Sequence, residues 1–218
     1  MQNEETVVVV AAGEGPDVSP AVPAGSRVVA ADGGLERALA LGLEVALVVG
    51  DLDSVAATAL DAAERNGTRV VRHPAAKDAT DLELAVDEAL ADGPARLLVV
   101  ASAEGRLDHL LSALLVLAAP RLAATEVDAL VGGALVHVVR TERTLAGEPG
   151  ELVSLLPVHG PAEGVVTDGL DYPLRRETLE PGSSRGVSNV FSGREARVSL
   201  ECGVLLAVRP ARSEEEPG

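Results

Sequence analysis

The chain has no tryptophan, and only one tyrosine, one phenylalanine, one cysteine and one lysine among 218 residues. Each scarcity excludes something. A lone cysteine, Cys202, forms no intrachain disulfide, so stability must rest on a core, and the plain reading of that residue is a small core hydrophobe. Aromatics reduced to Tyr172 and Phe191 leave no stacking platform for single-stranded nucleic acid. With 34 acidic residues against 18 basic ones, the formal charge of −16 repels a phosphate backbone, so nucleic acid is not an expected partner. No apolar run approaches the roughly 18 residues that span a bilayer, and no basic stretch precedes the short apolar segment near the N-terminus. No membrane association is expected, and the cytoplasm is the expected compartment.

What is present is apolar and patterned. Hydrophobic residues make up 47% of the chain, enough to bury a substantial core in one domain or two. The runs TVVVVAA (6–12), SRVVAAD (26–32), ALVVG (46–50), TRVVRH (68–73) and ARLLVVAS (95–102) read as short buried strands. Helical patterns lie between several of them, the clearest at 80–91, where Leu82, Ala85, Val86, Ala89 and Leu90 form one stripe. Continuous apolar strands alternating with amphipathic helices predict a parallel sheet covered on both faces: a doubly wound, Rossmann-like α/β domain over residues 1–130. From about residue 131, and clearly from GELVSLLPV (150–158), short β-type runs separated by Gly, Pro and Ser clusters predict an all-β domain to residue 212. The polar tail, 213–218, is expected to fray.

Acidic residues collect where the predicted strands end. Asp32 and Gly33 follow VVAA, Asp51 and Asp53 follow LVVG, Asp78 and Asp81 follow the strand and loop VVRHPAAK, and Asp108 follows LLVVASAEGR. In open parallel sheets, ligands bind beyond the carboxyl ends of the strands. Six carboxylates gathered there from four loops would repel one another, so a divalent cation is the natural partner. Mg²⁺ fits best, since the sequence offers no Cys or His cluster for zinc. Structural readings stand beside each of these. Asp32 ahead of two glycines fits a turn, Thr80 with Glu83 fits a helix capping box, and Asp81 in a first helical turn suits the helix dipole. One carboxylate suffices for a cap, so Asp51 and Asp53 together are harder to explain that way. The sole lysine, Lys77, falls inside KDATD, where the alternatives are a phosphate contact and a solvated surface charge. No G-x-x-x-x-G-K-[ST] sequence occurs, so no P-loop holds a phosphate.

The segments ADGGLERALALGL, VVGDLDS, HPAAKDATDLELAVDEAL and GRLDH, in that order, resemble the thiamine pyrophosphokinase (thiamine diphosphokinase) family. VSLLPVHGPAEGVVTDGLDYPL and GSSRGVSNVFSG resemble the β-rich domain of the same family, so the likeness covers nearly the whole chain. The resemblance implies transfer of pyrophosphate from ATP to the thiamine hydroxyl, giving thiamine diphosphate and AMP, with Mg²⁺ required. It also implies an α/β catalytic domain followed by a thiamine-binding β-sandwich, in a homodimer with shared active sites. By motif, Asp51, Asp53 and Asp81 become the metal and phosphate group. Asp32, Gly33, Lys77, Asp78, Thr80, Arg106 and Asp108 become the lining of the nucleotide and thiamine pocket, with Ser188 and Asn189 closing it. Asp108 or Asp81 is a candidate to take the hydroxyl proton, and the sequence does not choose between them. Members of the family commonly carry two glycines before Arg-Leu-Asp, where this chain has Glu104-Gly105. Some relatives stack thiamine on a tryptophan; here Phe191 or Leu205 is the candidate cover, with plain core as the alternative for Phe191. His109 reads as a helix-start residue rather than a catalytic one. Two further classes use similar acid pairs: a glycosyl- or nucleotidyltransferase, and a non-catalytic nucleotide-binding module.

Overall fold

The computed structural model describes residues 6–13 and 22–211; the tail expected to fray, 213–218, lies outside them. The chain forms two compact units. One is built on the residues up to Val116 together with Ala124–Gly132, the other on Leu117–Ala123 and the chain from Gly133 onward.

The first unit carries strands β1 (Thr6–Ala11), β2 (Arg27–Ala31), β3 (Val45–Gly50), β4 (Arg69–Arg72), β5 (Arg96–Ala101) and β6 (Glu126–Val131). Its helices are α1 (Gly34–Ala40), α2 (Ala57–Arg65), α3 (Asp81–Leu90) and α4 (Leu107–Leu117). The strands pair in the order β6-β5-β1-β2-β3-β4, each neighbouring pair parallel. Val9 in β1 pairs with Val29 on one side and Val99 on the other, and all three are buried. Each such valine contributes about 1.5–3 kcal/mol by leaving water, which is why the strands of this unit need not alternate with polar residues. The five predicted strands are present with ends shifted by a residue or so. β6, not assigned from sequence, joins β5 as a sixth parallel strand.

Thr80 is the N-cap of α3: its Oγ1 accepts from the Glu83 amide at 3.2 Å, the capping interaction predicted from the Thr-x-x-Glu pattern. Ala85, Val86 and Ala89 then face the core. Helix α1 starts at a glycine for a different reason. A Cβ on Gly34 would stand 2.0 Å from the Val10 carbonyl oxygen, so at this point the helix backbone lies directly against β1.

The second unit is β-rich. Strands β7 (Ala134–Val139), β8 (Glu142–Ala146), β9 (Leu152–Pro157), β10 (Ala162–Asp168), β11 (Arg175–Leu179), β12 (Asn189–Val190), β13 (Glu195–Ser199) and β14 (Leu205–Arg209) form two antiparallel sets, β12-β9-β14-β7 and β11-β10-β13-β8. Val153, Leu155, Leu205 and Ala207 of the first set share one buried cluster with Leu145, Val165, Leu179, Ala196 and Val198 of the second. Phe191 lies in the same cluster, 1% exposed, with the Arg209 guanidinium 5.6 Å from its ring centre. Leu205 is fully buried there too. Neither is available to cover a thiamine ring, and the core reading of Phe191 holds. Cys202 is exposed, against the expectation of a core hydrophobe. Among the described residues, no helix is long and apolar enough to cross a membrane.

Candidate functional site

The sequence Gly50-Asp51-Leu52-Asp53-Ser54 turns the chain out of β3. Leu52 adopts φ +62° and plugs the core beside Val48, Val55 and Leu60, which leaves the acids on either side of it at the sheet edge. Such a backbone is unfavourable for leucine and persists where packing over-determines it. Glu36 secures the far end of the loop, its Oε1 accepting from the Ala56 amide at 3.1 Å. Asp32, at φ +48°, ends β2 beside this loop, and Ser54 Oγ donates to its Oδ2.

Carboxylate oxygens of Asp32, Asp51 and Asp53 lie within 4.8 Å of one another. The other oxygen of Asp32, Oδ1, is buried and meets no hydrogen-bond donor among the described residues. Asp81 comes close as well, for a Cβ on Gly50 would stand 3.1 Å from both Asp32 Cβ and Asp81 Oδ1. Asp81 itself pairs with Lys77, whose Nζ is 2.8 Å from Asp81 Oδ1 and 3.2 Å from Asp51 Oδ2. The Lys77 side chain is only 13% exposed.

The charges divide the acids. The hydrogen bond from Lys77 holds the Asp51 carboxyl below its ordinary value, helped by the Asp53 amide. Asp53 is pushed up, chiefly by the negative charge of Asp51, with Asp32 and Asp81 adding to it. Burial alone would pull the Lys77 ammonium down, but its bonds to Asp81 and Asp51 outweigh that and raise it. A carboxylate raised by its neighbours, next to one whose buried oxygen lacks a donor, is a donor set short of positive charge. All-oxygen ligation of this kind suits a hard divalent cation.

Asp32, Asp51, Lys77 and Asp81, though not Asp53, line a cavity of about 610 Å³ at the carboxyl ends of the parallel strands. Its walls come from Ala11, Ala12 and Gly13 after β1, Asp32 after β2, Asp51 after β3, and Ser102 after β5. Lys77, Thr80, Asp81, Arg106 and His109 also line it. β1 lies between β2 and β5, where the strand order reverses, the usual place for a ligand in an open sheet.

The sequence-predicted residues do not all come together. Asp32, Asp51, Asp53, Lys77 and Asp81 converge, and Asp32 joins the two acids of the β3 loop more closely than its assignment to the pocket lining implied. Arg106 and Asp108 form an exposed pair at the start of α4, Nη2 to Oδ2 2.6 Å, and this bond holds Asp108 down to about 2. So weakly basic a carboxylate is a poor proton acceptor near neutrality. Asp78 is exposed and does not line the cavity, and Gly33 is the N-cap of α1, against Ser54. Ser188 and Asn189 belong to the second unit. The Asn189 amide is buried and occupied there: Nδ2 donates to the Tyr172 carbonyl at 2.8 Å and Oδ1 accepts from the Tyr172 amide at 3.1 Å. Glu104 stands where the family commonly has glycine, yet it is not among the residues with positive φ, so the backbone does not require glycine at that point. Ser54 was missed; its only signal in the sequence is its place directly after the second acid.

An open parallel sheet with an acidic, lysine-bearing cavity at its carboxyl edge fits a class, the proteins that bind metal-chelated phosphate ligands. Family comparison is specific within it. The thiamin pyrophosphokinase catalytic domain matches residues 22–128, and the thiamin pyrophosphokinase vitamin B1 binding domain matches residues 136–205. The chain belongs to the thiamine pyrophosphokinase family, and its function is the transfer of pyrophosphate to thiamine. The fold is similar to thiamine pyrophosphokinase from Bacillus subtilis, with TM-score 0.84 and 23% identity, over 96% of this chain and 100% of that one. A family protein from Enterococcus faecalis gives TM-score 0.82 at 24% identity, over 96% and 100%. The Candida albicans enzyme gives 0.76 at 13%, over 94% and 89%. No curated protein sequence matches the chain.

Proposed function

We propose that the donor is ATP and that the thiamine hydroxyl attacks its β-phosphorus, with Mg²⁺ held by Asp32, Asp51 and Asp53 and bordered by Asp81. The observation that carries this is the acidic edge at the strand ends, where Asp32, Asp51 and Asp53 converge beside a cavity that Lys77 and Arg106 also line. When bound, the metal neutralises phosphate oxygens and aligns them for displacement. The chain's own part is positional. Leu52, Ser54 and Glu36 fix the acids before substrate arrives, and preorganisation of this sort removes reorganisation from the barrier. As the new oxygen–phosphorus bond forms, the hydroxyl proton passes to Asp81, the remaining candidate acceptor, while the bond from the β-phosphorus to the α–β bridging oxygen breaks and AMP leaves with that oxygen. Arg106 on the rim offsets its charge.

We read the first unit as a doubly wound, Rossmann-like catalytic domain, residues 1–130, which the reversing strand order supports. The second is a thiamine-binding sandwich, residues 131–212, supported by the single core shared by its two sheets. Ser188 is the proposed thiamine contact of this second unit, and Asn189 supports it by holding the Tyr172 backbone. The cytoplasm is the proposed location.

With ATP, Mg²⁺ and thiamine, AMP and thiamine diphosphate are expected in equal amounts, each depending on both thiamine and metal. Chromatography separates the products. ADP with thiamine monophosphate would mean attack at the γ-phosphorus, and released pyrophosphate attack at the α-phosphorus; either overturns the assignment.

The active form is proposed to be a homodimer with shared sites. Leu107, Leu111 and Leu115 form an exposed stripe on α4, 67%, 52% and 46% accessible, where a second copy would bury them. Light scattering should give twice the chain mass, and Leu111→Asp should return it to the single-chain value. A fully active wild-type monomer at micromolar concentration would sink the shared-site proposal.

A further inference from the structure

Lys77 is bound to the wrong partners for a residue whose task is only to hold phosphate. Its ammonium is nearly buried and bridges Asp81 Oδ1 and Asp51 Oδ2, at 2.8 and 3.2 Å. Asp51 is also one of the three acids whose oxygens converge. With a metal among those three acids, one carboxylate would therefore serve two cations, the ammonium and the metal.

These positions conflict electrostatically. A divalent ion among Asp32, Asp51 and Asp53 would share the Asp51 carboxylate with the ammonium, and like charges at that range repel strongly in a partly buried site. A polyphosphate entering the cavity reverses the balance, since Lys77 lines that cavity and phosphate oxygens offer it new acceptors. Lysine suits such an exchange. Its ammonium is a compact charge on a flexible stem, whereas an arginine fork would be held to one carboxylate by paired bonds.

We propose, resting on the metal and ATP reading above, that Lys77 is an exchangeable counter-cation. It holds Asp51 and Asp81 while the site is free of metal, and it passes to the phosphates when metal and nucleotide enter together. Lys77 thereby discourages binding of a bare divalent ion and couples metal binding to nucleotide binding. By linkage the coupling is reciprocal: each ligand strengthens the other by the same factor, and part of that factor resides in this one side chain.

The full chain can be tested with Mn²⁺ as the probe, counted by the electron spin resonance of the free ion, with and without α,β-methylene-ATP, whose α–β bridge cannot be cut. Lys77→Met should bind Mn²⁺ about tenfold more tightly than the wild type when no nucleotide is present. The analogue should strengthen Mn²⁺ binding about tenfold less in the variant than in the wild type. Unchanged or weaker nucleotide-free Mn²⁺ binding in a folded variant overturns the proposal, as does an absence of such binding in both proteins. Because the chain has a single lysine, ¹³Cε-lysine labelling gives one side-chain resonance, which tests the wild type directly. That resonance should move when Mg²⁺ and the analogue are added together, and a signal fixed throughout would mean that Lys77 does not change partners. Thiamine and turnover enter neither measurement, so failure here is distinguishable from a product assay that fails to show AMP.

Discussion

Asp51→Asn and Asp53→Asn are each expected to reduce pyrophosphoryl transfer by about a thousandfold or more, the scale on which a preorganised charge-stabilising group acts. The two variants should part company in stability. Asp53 is raised above its ordinary value, mainly by the charge of Asp51, so its ionised form opposes folding of the metal-free protein. That opposition is absent below the unfolded-state value and grows as pH rises through the raised folded value, so at neutral pH Asp53→Asn should raise Tm. Asp51 has the opposite sign. It is lowered by the bond from Lys77, and its stabilising contribution is present above the unfolded-state value and lost as pH falls through the depressed folded one. Asp51→Asn should therefore lower Tm at neutral pH and matter little in strong acid. Calorimetry without metal, set beside turnover with metal, separates the two signs. Retained activity in both variants would remove the pair from the site. A fall in Tm for Asp53→Asn would show that the acid is held for structure rather than for a cation.

The same pair shows how far the sequence could be read. An apolar run ending in Gly-Asp-Leu-Asp places both acids at the carboxyl edge of a parallel sheet, because strand period and loop position are local properties. Leu52 is also foreseeable as an anchor: an apolar residue between two acids has one favourable place to go, the core it occupies. The partners of the acids are a different matter. Ser54 reaches Asp32, 22 positions earlier, and Lys77 reaches Asp51, 26 positions earlier, and neither spacing has a sequence signature. Sequence order thus located the acids, while tertiary packing chose which of them converge.

The β-rich half was less legible for a related reason. β7 and β8 are joined to their neighbours by very short turns, and their burial depends on strands that follow much later in the chain, β14 for β7 and β13 for β8. Asn189 illustrates the consequence. In a Gly- and Ser-rich loop it reads as a binding residue, yet both ends of its amide tie down the backbone of Tyr172, 17 positions away. Phe191, two residues on, is core because Gly147 leaves room for its ring: a Cβ on that glycine would stand 2.7 Å from it.

Gly34→Ala is expected to cost about 3 kcal/mol of stability, at the upper end of the usual range for overpacked sites, because the clash is with backbone and not with a side chain that can rotate away. The added Cβ would lie 2.0 Å from the Val10 carbonyl oxygen and 2.8 Å from its carbon, in the centre of the sheet. Relief requires α1 to move off β1. Asp32 and Gly33 lie immediately ahead of that helix, and Glu36 within it anchors the loop that carries Asp53. The strain should thus reach the site, and Gly34→Ala should weaken metal-dependent turnover well beyond what the loss of folded protein accounts for. Gly42→Ala is the control. It shares the glycine chemistry and has a positive φ, but nothing stands within 4 Å of its added carbon, so only local backbone strain of about 1 kcal/mol is expected, with turnover per folded molecule intact. Urea denaturation read beside activity compares them. Equal stability losses in the two variants would show that the contact between α1 and β1 is softer than its geometry implies, and that the acids are positioned by the β3 loop alone.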